Sequence, residues 1–128
     1  MTNFDDILHN AAETFYTHIT ENRELMKQLA KCESDSAIDE CLSEYSLSNR
    51  GFEMLDDAAD SVMVDYSSVW TILMIYISDP SDILQNKIDG LDIYNQFEDD
   101  IVKETKKFVH KNIDKLKEEM KERWIEWL

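Results

Sequence analysis

Residues 51–100 read GFEMLDDAADSVMVDYSSVWTILMIYISDPSDILQNKIDGLDIYNQFEDD. Twelve of them are acids, Glu53, Asp56, Asp57, Asp60, Asp65, Asp79, Asp82, Asp89, Asp92, Glu98, Asp99 and Asp100, against one base, Lys87, for a local charge of −11. Between the acids run Met54, Leu55, Val62, Met63, Val64, Tyr66, Val69, Trp70 and the unbroken apolar run 72–77, too much apolar surface for a disordered acidic tail. The stretch has to fold while holding its negative charges close together. Leu55, Ala58, Ala59, Val62, Tyr66, Val69, Trp70, Leu73 and Ile77 keep helical spacing, and Val62 and Val64 mark a break between two helices. Because the second half is apolar nearly all round, it predicts a buried central helix with Trp70, Leu73 and Ile77 in the core.

Working outward, residues 3–31 read as one long amphipathic helix. Phe4, Ile7, Leu8, Ala11, Phe15, Ile19, Met26 and Leu29 form its apolar face, Asn3 its cap, and Asp5 and Asp6 a first turn that suits the helix dipole. Residues 37–45 make a shorter helix with Ile38, Cys41, Leu42 and Tyr45 on one face, and SLSNRG at 46–51 reads as a turn with Gly51 as its flexible residue. Asp79-Pro80 is a helix start, since Asp caps and Pro is tolerated at the first helical position. The short helix it opens carries Ile83, Leu84 and Ile88 and ends or kinks at Gly90. A final long helix covers about 91–127.

The whole chain, 128 residues with 43% apolar and 32% charged composition, two glycines and one proline, fits a single all-α acidic domain spanning 1–128. Its net charge is −15, and the distribution is uneven: residues 1–102 hold twenty-two acids and five bases, whereas 103–128 hold six acids and eight bases. The last helix carries a lysine row, Lys103, Lys107, Lys111 and Lys115, beside an acidic row, Asp114, Glu118, Glu122 and Glu126. These read as a solvated face, or else the lysines neutralise acids elsewhere on the protein or in a second subunit. No apolar run is long enough to span a bilayer, and the polar start MTNFDD has neither the basic region nor the apolar core of a signal peptide, which points to the cytoplasm. Cys32 and Cys41 fit a reducing compartment and are too few for a disulfide scaffold or a zinc module.

Catalytic signatures are missing from the sequence. His9, His18 and His110 lie in no metal-binding spacing, and His9 and His18, nine apart, fall on opposite sides of a helix. Two glycines cannot build a phosphate loop, and neither DPSD at 79–82 nor DGLD at 89–92 follows the calcium-loop pattern. The reading is a non-enzyme without metal or cofactor. Direct binding of nucleic acid is disfavoured, because phosphates repel a chain of this charge. The inverse is open: duplex DNA presents one charge per about 1.7 Å of axis, and carboxylates three or four residues apart on a helix stand roughly 5 to 6 Å apart. Packed acidic helices therefore approximate rows of phosphates, and Asp56/Asp60, Asp57/Asp60, Asp79/Asp82 and Asp89/Asp92 have this spacing.

AADSVMVDY at 58–66, ILQNKI at 83–88 and FEDD at 97–100 resemble, in order and spacing, segments of the Ocr-type antirestriction proteins of tailed phages. That family carries an Ala-Asp-x-x-Val-Pro-x-Tyr segment, then Ile-Leu-Gln-x-(Arg/Lys)-Ile, then an aromatic followed by acids. Ala59, Asp60, Met63, Val64 and Tyr66 fall on the first, Ile83, Leu84, Gln85, Lys87 and Ile88 on the second, and Phe97, Glu98 and Asp99 on the third. The resemblance covers about residues 52–102; Val64 stands where the family has proline, and the lysine-bearing last helix differs from the family's acidic tail. It implies an elongated, all-α, homodimeric mimic of bent B-form DNA that occupies the DNA site of type I restriction-modification enzymes or a related host defence. The twelve acids of 51–100 are then the phosphate surrogates, with Glu33, Asp35, Asp39, Glu40 and Glu44 as additions. The rival reading is an acidic helical module, such as an immunity protein or antitoxin, that holds a basic protein partner through a few aromatic anchors. A third is a helical dimer whose charge serves only solubility.

Overall fold

A computed structural model describes residues 3–77 and 90–127, with side-chain surroundings to Glu122 in the second part. Among the described residues the fold is all-α, with six helices: α1 Phe4–Glu21, α2 Arg23–Ala30, α3 Asp35–Leu47, α4 Asn49–Val62, α5 Tyr66–Tyr76 and α6 Gly90–Trp127. The short helix expected around Ile83, Leu84 and Ile88 lies outside the described residues, as do the acids Asp79, Asp82 and Asp89.

Polar caps set the boundaries. Asn3, Asn22, Ser34, Ser48 and Asp65 each accept a backbone N–H three residues on, at 2.8 to 3.1 Å, satisfying donors that a helix start leaves unpaired. Asn22 accounts for the first correction. The helix expected over 3–31 is two helices, because Asn22 closes α1 through its own N–H to the Ile19 carbonyl (3.1 Å) while its side chain caps α2. Ser48 does the same between α3 and α4, donating its backbone N–H to Tyr45 and capping Gly51. Gly51 is therefore not a flexible turn residue. It sits buried in the first turn of α4, where a Cβ would come within 1.7 Å of the Tyr45 carbonyl oxygen, so glycine is needed for close approach rather than freedom. The expected break at 62–64 is present, α4 ending at Val62 and Asp65 capping α5.

The core lies between α1, α4 and α6, where Ile7, Ala11, Phe15 and Ile19 meet Leu55, Ala58, Ala59, Phe97, Ile101 and Val109. Phe4 packs edge-on against Tyr76 and tilted on Phe97, at ring separations of 5.8 and 6.2 Å. The 38 residues of α6 extend about 57 Å at 1.5 Å per residue, so one helix contacts every other helix of the core. Tyr94 and Phe97 face α4 and α1, while further along Lys106 Nζ donates to Ser43 Oγ and Lys117 Nζ to the Cys32 carbonyl, both at 2.7 Å. Lys106 and Lys117, which reach α3 and the link between α2 and α3, thus stand outside the lysine row. Lys103, Lys107, Lys111 and Lys115 are exposed, and Lys107 lies 3.4 Å from Glu104 of its own helix.

The expectation of a fully buried helix at 66–77 needs correction. Ser68, Ile72 and Ile77 are buried, Leu73 is half-buried, but Tyr66, Trp70, Met74 and Ile75 are 87%, 55%, 56% and 55% exposed. At 100° per residue, Ser68, Ile72 and Tyr76 span a narrow arc, and this arc meets α1 and α6. An all-round apolar helix carries no directional signal of its own. Its position at the edge of the bundle decides which side is covered.

Candidate acidic interaction surface

The described acids of 51–100 are positioned by α4, the α4–α5 turn and the first turns of α6. Asp57, Asp60, Asp65, Asp92 and Asp99 are exposed, Glu53 is exposed and 3.8 Å from Arg50, and Asp56 and Asp100 are half-buried. Among the described residues, Glu53 is the only one of these acids with an ion pair to another described residue.

What holds Asp60, Asp65 and Asp100 is neutral. The Tyr94 hydroxyl donates to Asp60 Oδ1 at 2.9 Å and lies 3.4 Å from the Asp56 carbonyl oxygen. The Tyr76 hydroxyl donates to Asp100, and the Ser68 N–H to Asp65 at 2.8 Å. Burial, the hydrogen bond to Asp60 and the surrounding acids hold the Tyr94 phenol well above its usual range; burial and then Asp100 do the same for Tyr76. Both hydroxyls therefore remain donors at any physiological pH.

Glu98 departs from the surface reading. It is 3% exposed, with Oε2 lacking a hydrogen-bond partner, so it cannot face a partner as a surface phosphate surrogate. Burial pushes its carboxyl up to about 8, helped by a hydrogen bond to Asp56 and by the charges of Asp56, Asp60 and Asp99. Desolvation disfavours the charged form, and the neighbouring acids raise its affinity for a proton further. The fold thus gathers Asp56 and Asp60, one turn apart on α4, with Tyr94, Glu98 and Asp99 of α6. Four acids share this place, and among the described residues no ion pair to a cation balances them.

Of the additional acids, Glu33, Glu40 and Glu44 are exposed. Asp39 instead meets His110 Nε2 at 2.7 Å, with Asp35 3.5 Å from Nδ1, so part of this set serves the α3–α6 contact. Cys32 and Cys41 are free and half-buried, and burial first, then Cys32, raises the Cys41 thiol to about 11. His9 packs edge-on against Phe108 at 5.0 Å. Among the described residues, no group of three or more His, Cys, Asp or Glu side chains is arranged to hold a metal ion.

Sequence reasoning missed the two tyrosines that fix the acids and the burial of Glu98. Tyr94 and Asp60 are thirty-four residues apart, Tyr76 and Asp100 twenty-four, and no local spacing links such pairs. Comparison with protein-family models, curated proteins and solved structures gives no match. The site has to be read from its own chemistry. No described helix is long and apolar enough to cross a membrane.

Proposed function

We propose that this protein is a non-enzymatic DNA mimic of the Ocr-like antirestriction type, acting as a homodimer in the cytoplasm of a bacterial host. It occupies the DNA-binding site of a type I restriction-modification enzyme or a related defence complex, and binds no nucleic acid itself. The observation that carries this reading is the way the acids are held. Tyrosine hydroxyls and backbone N–H groups fix Asp60, Asp65 and Asp100 in place without cancelling their charge. Fixed, uncompensated carboxylates on adjoining helices suit a basic cleft built to receive phosphates, whose positive charge supplies what the protein lacks.

The test is competition with labelled duplex DNA for a purified type I restriction-modification enzyme, followed by mobility shift across a salt series. The protein displaces the duplex, and its affinity falls steeply with salt. A complex holding DNA and the protein together, or salt-independent binding, overturns the reading.

A second reading, an acidic module holding a basic toxin-like protein, is favoured by the exposed Tyr66, Trp70 and Met74 of α5. Anchors of this kind dominate ordinary protein interfaces. Under it, Trp70→Ala abolishes partner binding while single acid neutralisations matter little. A mimic loses affinity in steps as acids are removed in groups.

A further inference from the structure

We propose that Cys32 and Cys41 are a redox-active pair, closed to an intramolecular disulfide by a low-molecular-weight disulfide such as glutathione disulfide and reopened by thiols. The inference does not depend on reading the acids as phosphate surrogates.

Geometry carries it. Cys32 lies in the link 31–34 between α2 and α3, and Cys41 lies on α3. Both thiols meet one residue of α2: Cys32 Sγ donates to the backbone carbonyl of Gln28 at 3.3 Å, and Cys41 Sγ to its side-chain carbonyl at 3.7 Å. The two thiols are also within hydrogen-bonding reach of each other. They are the two cysteines of the whole chain, and the fold sets them side by side. Gln28 is exposed and both cysteines are half-buried, so a small solute reaches the sulfurs from water. Sulfurs in hydrogen-bonding contact must approach further to form a bond of about 2.05 Å. Cys32 makes that approach, because it stands outside both helices and its side chain turns without disturbing a helical backbone. Its carbonyl meanwhile stays anchored to α6 by Lys117 Nζ at 2.7 Å.

The two sulfurs divide the work. Burial first, then Cys32 and Glu44, keep Cys41 a thiol at neutral pH, and only a thiolate attacks a disulfide. Cys32 therefore loses its proton to water and attacks one sulfur of glutathione disulfide, whose S–S bond breaks. The first glutathione leaves as a thiolate and takes up a proton. Cys41 then gives its proton to water and displaces the second glutathione from Cys32. Two electrons pass from the protein dithiol to glutathione disulfide, and two glutathione thiols result. The new bond ties the link after α2 to α3 and fixes Glu33 and Glu40, exposed acids each next to one cysteine. In a reducing compartment the pair stays open, as a transient, redox-sensing disulfide does.

The full chain, reduced and then equilibrated with glutathione and glutathione disulfide at a series of ratios, is quenched with acid, alkylated and weighed. The expected product is a monomer lighter by about 2 Da, the two hydrogens lost, with neither cysteine alkylated and no glutathione adduct accumulating. Cleavage after Glu33 and Glu40 leaves the two cysteine fragments joined. Cys41→Ser, which lacks the second thiol, instead collects one glutathione on Cys32. The same equilibrium in concentrated urea isolates the contribution of the fold: the folded chain closes at a ratio of glutathione disulfide to glutathione lower by about tenfold or more, in line with the stabilisation that a disulfide gives a fold. The proposal is overturned if glutathione adducts persist on wild type, if the chain crosslinks to dimers instead, if Cys41→Ser stays free of glutathione, or if the folded chain closes no more readily than the unfolded one. The last comparison uses wild type alone and decides the matter should the serine variant not fold. No DNA-binding enzyme enters this experiment, so its failure leaves the competition assay to judge the broader reading separately.

Discussion

A Cβ built on Gly51 meets the Tyr45 carbonyl oxygen at 1.7 Å, and that neighbour is backbone, not a side chain that can swing away. Gly51→Ala has to separate α3 from α4 at the Ser48 corner, and we expect a loss of about 1 to 3 kcal/mol, the usual cost of forcing a methyl group into packed space, measurable as a lower urea midpoint. Glu98 sets a second residue-scale outcome. Its folded-state carboxyl is raised from an ordinary 4.5 to about 8, so the folded chain holds a proton that the unfolded chain gives up. The stability this lends is complete below about 4.5 and is lost as pH rises toward and through 8. Urea unfolding of wild type at pH 5.5 and 8.5 should show that loss, and Glu98→Gln, which cannot ionise, should flatten it. Neither residue was readable in its role from the sequence: glycine after a Ser-Asn-Arg run reads as a turn, and a glutamate within Phe-Glu-Asp-Asp reads as surface.

At the scale of elements, one side chain separates α1 from α2. Asn22→Ala removes the α2 cap while leaving the backbone bond to Ile19, and should cost about 1 kcal/mol, within the measured span for cap deletions; thermal unfolding against wild type checks it. The orientation of α5 is equally open to trial. Ile72, buried against the bundle, should cost about 2 to 5 kcal/mol when cut to alanine, whereas Trp70→Ala, at a side chain more than half exposed, should cost far less. Equal losses would mean that the exposed side of α5 is packed. Here the sequence was legible only in part. Helical spacing and the break near Val62–Val64 were plain, but an apolar run such as TILMIY fits a central or an edge helix equally well.

For the whole molecule, the −15 charge is a cost that the fold carries throughout. Thirteen Lys and Arg face twenty-eight acids, and among the described residues Lys106 and Lys117 cross between elements to a hydroxyl and a carbonyl rather than to acids. Self-repulsion then opposes folding, and salt, with a screening length of about 10 Å at 0.1 M, weakens it. The melting temperature should therefore rise between 10 and 300 mM sodium chloride. A fall would mean that attractive pairs dominate instead. Salt is thus expected to stabilise the free protein and to weaken its grip on a basic partner.

By itself the sequence determined that the chain is helical, because apolar residues recur at helical spacing and few glycines or prolines interrupt them. It also determined that the chain is strongly acidic over its first four fifths, and where most helices begin, since Asn, Ser and Asp caps act within three residues of themselves. Only the tertiary structure decided which of the acids face water, that Tyr76 and Tyr94 hold two of them without neutralising them, that Glu98 is buried, and that one side of α5 is bare. Each of these depends on groups brought together from distant parts of the chain, and a local pattern cannot encode a contact whose partner lies on another helix.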